Sequence, residues 1–283
     1  MKNKINKYPL LFYFLSAYLI SWVLWMPLYL PYFGIKGLPQ WRYHHASGAL
    51  GPIAAAFLLT GYEQGQKGIR ELIRRMFRWK VSLLWHAVAF LFPLLLLAIS
   101  AFLHALLTRQ SLDLNGAGVS REFPQFGALE FLLYNIITFG YGEETGWRGY
   151  ALPRLQRKYT ALQATILLTI GWALWHIPLF FYRPGYLQME ISGIIGWFFS
   201  LLMGSILLTW LYNSTRGSIL ICAIFHAIID IVFTSDVASQ EVIGYTGVFI
   251  TVWGILVLLL AKPKHLSDKP RQTLAQTEDE IYT

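Results

Sequence analysis

Two adjacent carboxylates are the first groups in this chain that could do chemistry. They stand in Glu143-Glu144-Thr145-Gly146-Trp147-Arg148, at the end of an apolar run. On a helix Glu144 and Arg148 are four residues apart, share a face and can pair. Glu143 lies about 100° around the helix and points elsewhere. One carboxylate is then neutralised by arginine and the other is left for chemistry, unless the hexapeptide is a solvated loop with a surface ion pair. Two histidines sit in other apolar runs. His176 follows Trp172-Ala173-Leu174-Trp175, either as a structural residue bonded to a backbone carbonyl or as a functional one. Pro178 is expected to kink that helix and free a carbonyl nearby. His226 and Asp230, four apart, share one face of a third run, where a mutually satisfied pair is the structural alternative. Ionisable groups in apolar spans are costly and usually functional. Carboxylates and imidazoles together are the inventory of a water-activating acid–base site. By type they also suit zinc, with Glu143, His176 and His226 as its ligands, although no HExxH pattern occurs.

The elements that must position these groups follow from composition. Of 283 residues, 55% are hydrophobic and 13% charged, and the mean hydropathy is +0.47. That is too little charge to coat a soluble globule, which carries roughly 25%. The 11 Trp and 16 Tyr fit interfacial belts. The expected fold class is all-α, a polytopic membrane bundle of about eight transmembrane helices with both termini cytoplasmic. Runs of about 20 apolar residues are found near 9–30, 46–61, 81–107, 126–142, 161–181, 191–212, 218–234 and 243–261. The second is short, and the fourth can continue as a helix past Tyr141. In this topology most of the 23 Lys and Arg residues face the cytoplasm, leaving Lys36, Arg42, Arg109, Arg121 and Arg183 on the other side. The net charge of +8 is thereby explained without nucleic acid as a partner. The single cysteine, Cys222, forms no intrachain disulfide and reads as a buried inert thiol. The 61–80 segment reads as an amphipathic surface helix that anchors the topology, with a specific lipid or substrate contact as the alternative. Residues 1–261 form one membrane domain with its core at about 126–235, and 262–283 is expected to be a disordered cytoplasmic tail.

These residues resemble the motifs of the CAAX protease and bacteriocin-processing family, also called the ABI family. Glu143-Glu144-x-x-x-Arg148 is similar to its first motif, Trp172-x-x-x-His176 to its second, and His226-x-x-x-Asp230 to its third. The resemblance covers roughly residues 126–235. It implies an intramembrane endopeptidase with an eight-helix core, no cofactor and a metal-free glutamate mechanism. Its eukaryotic members cut prenylated CAAX proteins facing the cytosol. By the resemblance Glu143 activates water and His176 helps to hold it. Glu144 and Arg148 form the supporting ion pair, and His226 with Asp230 stabilises the oxyanion. Asp230, where an Asn would donate a hydrogen bond, is instead expected to orient and charge His226 or to be protonated itself.

The leading expectation is thus a multi-pass integral membrane peptidase, in the cell membrane if the source is prokaryotic, with its site open to the cytoplasm. Its partners are the lipid bilayer and a peptide or membrane-protein substrate, prenylated only if the organism prenylates. The alternatives are a zinc-dependent intramembrane hydrolase, a non-catalytic immunity or binding protein of the same family, and an ion-coupled transporter. One difficulty of depth stands. Counted at about 1.5 Å per residue, His226 lies about 12 Å and His176 about 22 Å from the cytoplasmic ends of their helices. Glu143 lies at the edge of its own span. The three converge only if the fourth helix continues past Arg148 inside the protein and the fifth starts later than residue 161.

Overall fold

The computed structural model describes residues 7–109, 119–120, 123–234 and 239–274. They form α1 (Pro9–Tyr29), α2 (Leu50–Met76), α3 (Leu83–Thr108), a composite rod α4 (128–158), α5 (Ala161–Trp175), α6 (Ile191–Ser214), α7 (Ile219–Thr234) and α8 (Gln240–Leu260). Among the described residues every element is helical, as expected. Among the described residues five segments are long and apolar enough to cross a membrane: Pro9–Phe33, Leu83–Thr108, Ala161–Phe181, Ile191–Ser214 and Gln240–Leu260. The remaining three expected spans fall on α2, α4 and α7, which do not meet that measure. α7 is apolar but has only 16 residues, and α2 and α4 carry charged residues and glycines. α7 and residues 142–156 of α4 are largely buried in protein, whereas α2 buries one face and exposes Leu50, Leu58 and Tyr62 on the other. α4 packs against α2 on one side and α7 on the other, while α3 and α6 close on α7 and α8.

α1 shows how burial is inverted here. Its Tyr13, Ala17, Ser21 and Trp25 are buried, and Leu11, Leu15, Leu19 and Val23 are exposed on the outer face. Leucine gains nothing by leaving lipid, so the packed stripe is small, polar or aromatic. Tyr18 Oη donates to Gly171 O (2.5 Å) and Trp22 Nε1 to Trp175 O (3.0 Å), which fasten α1 to α5. Ser21 Oγ accepts from Trp175 Nε1 (2.7 Å) and donates to Gly48 O (2.6 Å).

The buried rod α4 is held by close backbone approach. A Cβ on Gly140 would lie 2.5 Å from Ala223 O of α7, and one on Gly146 would lie 2.2 Å from Tyr13 Oη and 2.7 Å from Pro52 O. Gly146→Ala is therefore expected to push α1 and α2 away from α4, destabilising the protein by about 1–3 kcal/mol, the cost of overpacking. Thermal unfolding in detergent reads the shift; an unchanged midpoint would mean that the contact is not tight.

α4 also removes the difficulty of depth. It runs to Lys158, 15 residues beyond Glu143, and α5 starts at Ala161, 15 residues before His176. Both groups thus lie about 22 Å from the shared 159–160 turn. The continuation past Arg148 is as expected, whereas α5 starts where the sequence placed it and not later. α7 begins deeper. Ile219 packs beside Gly149, where an added Cβ would meet Ile219 Cδ1 at 2.8 Å. A helix that starts at that level needs only seven residues to bring His226 to the depth of the other two.

The amphipathic 61–80 segment keeps an exposed face, with Ile73, Phe77 and Trp79 outward, and packs its other face on the bundle. α2 breaks at Gly65 (φ 59°, ψ −151°), and its last turns bury Leu72, Arg75 and Met76. Arg75 donates to Tyr212 Oη (2.7 Å) and Gly149 O (2.9 Å), so it is a structural cation rather than a surface anchor. The tail, contrary to expectation, is ordered over residues 262–274. Asn213 Nδ2 donates to His265 O (2.7 Å), its Oδ1 accepts from Gln272 N (3.0 Å), and Ser214 meets Ser267 (3.0 Å). Leu266 is fully buried. The first N–H groups of α5 are satisfied by this segment, Ala161 N by Lys264 O and Leu162 N by Pro263 O (both 3.1 Å), and that is why its polar composition does not leave it loose. Lys2, Lys4, Arg121 and tail residues 275–283 lie outside the described residues.

Candidate active site

Glu143 and Glu144 occupy one short α-helical turn, Gly142–Gly146, between π-helical segments Ile136–Tyr141 and Trp147–Ala151. π turns inside α-helices are frequent at functional sites because they re-aim neighbouring side chains. Here they flank the glutamate pair on both sides, on a helix whose residues 142–156 are all buried.

Glu144 is the neutralised carboxylate. Its Oε1 accepts from Arg148 Nη1 (2.9 Å) and from His226 Nδ1 (2.6 Å). Both members of the ion pair have fully buried side chains, which excludes the solvated-loop reading. Arg148 Nη2 donates to Ser205 Oγ (3.0 Å) on α6, and its guanidinium lies over the Trp172 ring at 4.8 Å. Buried charges of this kind persist only when paired and hydrogen-bonded. Asp230 Oδ2 stands 3.6 Å from His226 Nε2, beyond hydrogen-bond distance, with 32% of its side chain exposed. His226 is thus tied to Glu144 across helices, and is not closed into a pair with Asp230 alone.

Glu143 has different partners. Its Oε2 accepts from Trp172 Nε1 (2.7 Å) and Trp147 Nε1 (3.2 Å). Among the described residues no Lys or Arg is paired with it in the way that Arg148 is paired with Glu144. The two indoles fix the carboxylate through one oxygen and leave Oε1 for other partners. His176 lies at the point where Pro178 ends α5 and the chain turns into the 3₁₀ segment Ile177–Phe181. Its own N–H bonds Ala173 O (3.1 Å), and its Nδ1 bonds Trp172 O (2.7 Å). A carbonyl only accepts, so Nδ1 carries the proton and Nε2 is the acceptor of the neutral ring. The ring is clamped edge-on by Trp175 (4.9 Å) and Trp197 (5.6 Å). Trp172 ties the motifs together. It bonds Glu143, presents its carbonyl to His176, and lies 5.6 Å from the His226 ring.

All six expected residues, Glu143, Glu144, Arg148, His176, His226 and Asp230, are therefore drawn into one region. The zinc set is not assembled. Among the described residues no three His, Cys, Asp or Glu side chains are placed to share a metal ion. Glu143 Oε2 and His226 Nδ1 already face other groups, so the side chains as placed do not form a zinc ligand set. Sequence reasoning missed Trp147 and Ser205. Trp147 was legible, because it stands four residues after Glu143, the same spacing that paired Glu144 with Arg148. Ser205 carried no signal beyond being polar in an apolar run.

A bundle with five apolar spans and this buried polar centre defines a multi-pass integral membrane protein. A family model, Type II CAAX prenyl endopeptidase Rce1-like, matches residues 125–232. CAAX prenyl protease 2 from Methanococcus maripaludis is 31% identical over 267 residues, covering 90% of this chain and 93% of that protein. The chain belongs to the CAAX prenyl protease family.

Proposed function

We propose that this protein is an intramembrane endopeptidase in which Glu143 activates water, within a cavity open to the cytoplasm. In the same reading all eight helices span, and both termini are cytoplasmic. The observation that carries it is the division of labour between neighbours. Glu144 is consumed by Arg148 and His226, while Glu143 is held by two neutral indole donors and keeps one oxygen for a reactant. Peptide hydrolysis needs a base for water, a donor to the developing oxyanion and a proton for the leaving amine. Glu143 Oε1 takes the proton from water and returns it to the amine. His176 Nε2 accepts the second water hydrogen and so aims the oxygen. His226 donates from Nε2 to the oxyanion; this requires the doubly protonated ring, for which Glu144 and Asp230 are the counter-charges. The substrate is a peptide or membrane protein. The family name and that of the M. maripaludis relative support a prenylated CAAX protein wherever the host prenylates.

The test is cleavage of a membrane-anchored peptide by the purified protein. His176→Ala is expected to lose activity with its fold retained. Wild-type cleavage is expected to survive a chelator. Loss on chelation with rescue by zinc would support the metal-dependent reading instead. Unchanged host phenotype after replacing Glu143, His176 and His226 together would favour a non-catalytic immunity or binding role. Trp172→Phe keeps the ring and deletes the closer of the two donors to Glu143. A hydrogen bond to a charged group contributes about 1.5–3 kcal/mol, so kcat should fall about 10- to 100-fold. Equal turnover in Trp172→Phe would remove the indole from the mechanism.

A further inference from the structure

The site does not account for a second polar feature at the end of the bundle that carries the 215–218 turn. A cleft of about 530 Å³ opens there between the 77–82 connection, that turn and the 262–274 segment. Arg74, Arg78, Lys80, Arg216 and Lys269 line it, with Phe77, Trp79 and Trp85, and among the described residues no acidic side chain contributes to its walls. Glu71, three residues before the lining residue Arg74, is held by Arg74 (2.7 and 2.8 Å) and faces Arg75 at 3.7 Å. Arg78 and Lys269 are tied to backbone carbonyls of Arg216 and Ser214. Lys80 lies over the Trp79 ring at 5.7 Å. Among the described residues neither Lys80 nor Arg216 makes an ion pair. Burial and the nearby Arg74 guanidinium hold the Arg78 side chain below the usual guanidinium range, consistent with uncompensated positive charge.

Position says what could neutralise it. The cleft abuts the first residues of the apolar span Leu83–Thr108, where Leu83 and Leu84 are 83% and 63% exposed. Phe77 and Trp79 are also largely exposed, an aromatic rim at the level where a span meets the headgroups. We infer that this cleft binds the phosphate headgroup of an anionic membrane phospholipid, with the acyl chains laid along the exposed leucines of α3. Clusters of Lys and Arg beside a span attract anionic lipid. Here the cluster is a walled concavity built from three separate chain segments rather than a flexible tail. One wall residue reaches α4: the Phe77 ring lies 6.0 Å from that of Tyr141, two residues before Glu143, and Tyr141 Oη donates to the neighbouring Met76 O (2.9 Å).

The test uses the full-length protein in neutral detergent, incubated with equal amounts of phosphatidylglycerol and phosphatidylcholine and read by native mass spectrometry. Wild type should retain phosphatidylglycerol selectively. Lys80→Gln with Arg216→Gln should lower that retention about 30-fold, because two near-surface charges are removed. Lys262→Gln with Lys264→Gln, the same charge change outside the cleft, should leave it unchanged. Equal retention of the two lipids, or equal loss in both double variants, would overturn the assignment. Displacement of the lipid by millimolar inorganic phosphate would instead make this a soluble-phosphate site. None of these readouts depends on peptide cleavage, so the inference stands or falls separately from the proposed function.

Discussion

Glu143→Gln is expected to abolish peptide cleavage, with kcat falling by at least about 10³-fold, while the protein remains folded. General base catalysis typically contributes 10²–10⁴-fold, and a glutamate that both takes and returns the proton serves two steps. Glutamine is nearly isosteric. Its carbonyl oxygen can still accept from Trp172 and Trp147, which now bond Glu143 Oε2. Only the basicity is lost. The thermal midpoint should therefore stay within about 1–2 °C of wild type, since a substitution that keeps its hydrogen bonds changes stability little. Activity and midpoint measured on one preparation distinguish lost chemistry from lost fold. A variant that is inactive and also unfolded would be uninformative about the base, and Glu143→Asp, which shortens the reach but keeps a carboxylate, then supplies the comparison.

Arg148→Met should have the opposite signature, a large loss of stability. Arg148 and Glu144 have fully buried side chains, and the guanidinium also reaches Ser205 and lies on Trp172. Removing one partner of a buried pair leaves the other charge uncompensated, at a cost of about 3–5 kcal/mol. Among the described residues Glu144 would then keep only the hydrogen bond from His226. Replacing both, as Arg148→Met with Glu144→Leu, should recover most of the stability, because packed apolar groups often replace a buried ion pair at little cost. It should not recover activity, since His226 loses the acceptor that aims it. Denaturation midpoints of the two single variants and the double variant give the coupling directly. If Arg148→Met alone were as stable as wild type, the ion pair would not be holding the site together.

How much of this was legible in the sequence can be judged residue by residue. Glu144–Arg148 was readable because an i, i+4 pair is a local geometric fact that helix formation enforces. The His176 bond to a backbone carbonyl was one of two open readings; the carbonyl it meets, Trp172 O, is available because His176 N turns to Ala173 O where the α-helix ends. The link between His226 and Glu144 was not readable, because it spans 82 residues and depends on where α7 starts relative to Gly149. The spans show the same division. The five lipid-facing helices announce themselves by apolar composition. α2 and α4 are disguised by the glycines and charges that let them pack inward. Residues 262–274 looked like solvent-facing tail because their partners, Asn213 and Ser214, are supplied by a distant turn.

The most direct test of the central claim is product analysis of a membrane-anchored peptide by mass spectrometry, after a single turnover in chelator, with wild type and Glu143→Gln of matched thermal midpoint. The expected result is one new pair of fragments from wild type and none from Glu143→Gln. The same fragments from Glu143→Gln would contradict the assignment of Glu143 as the base. So would fragments that disappear from wild type on removal of zinc and return when it is restored.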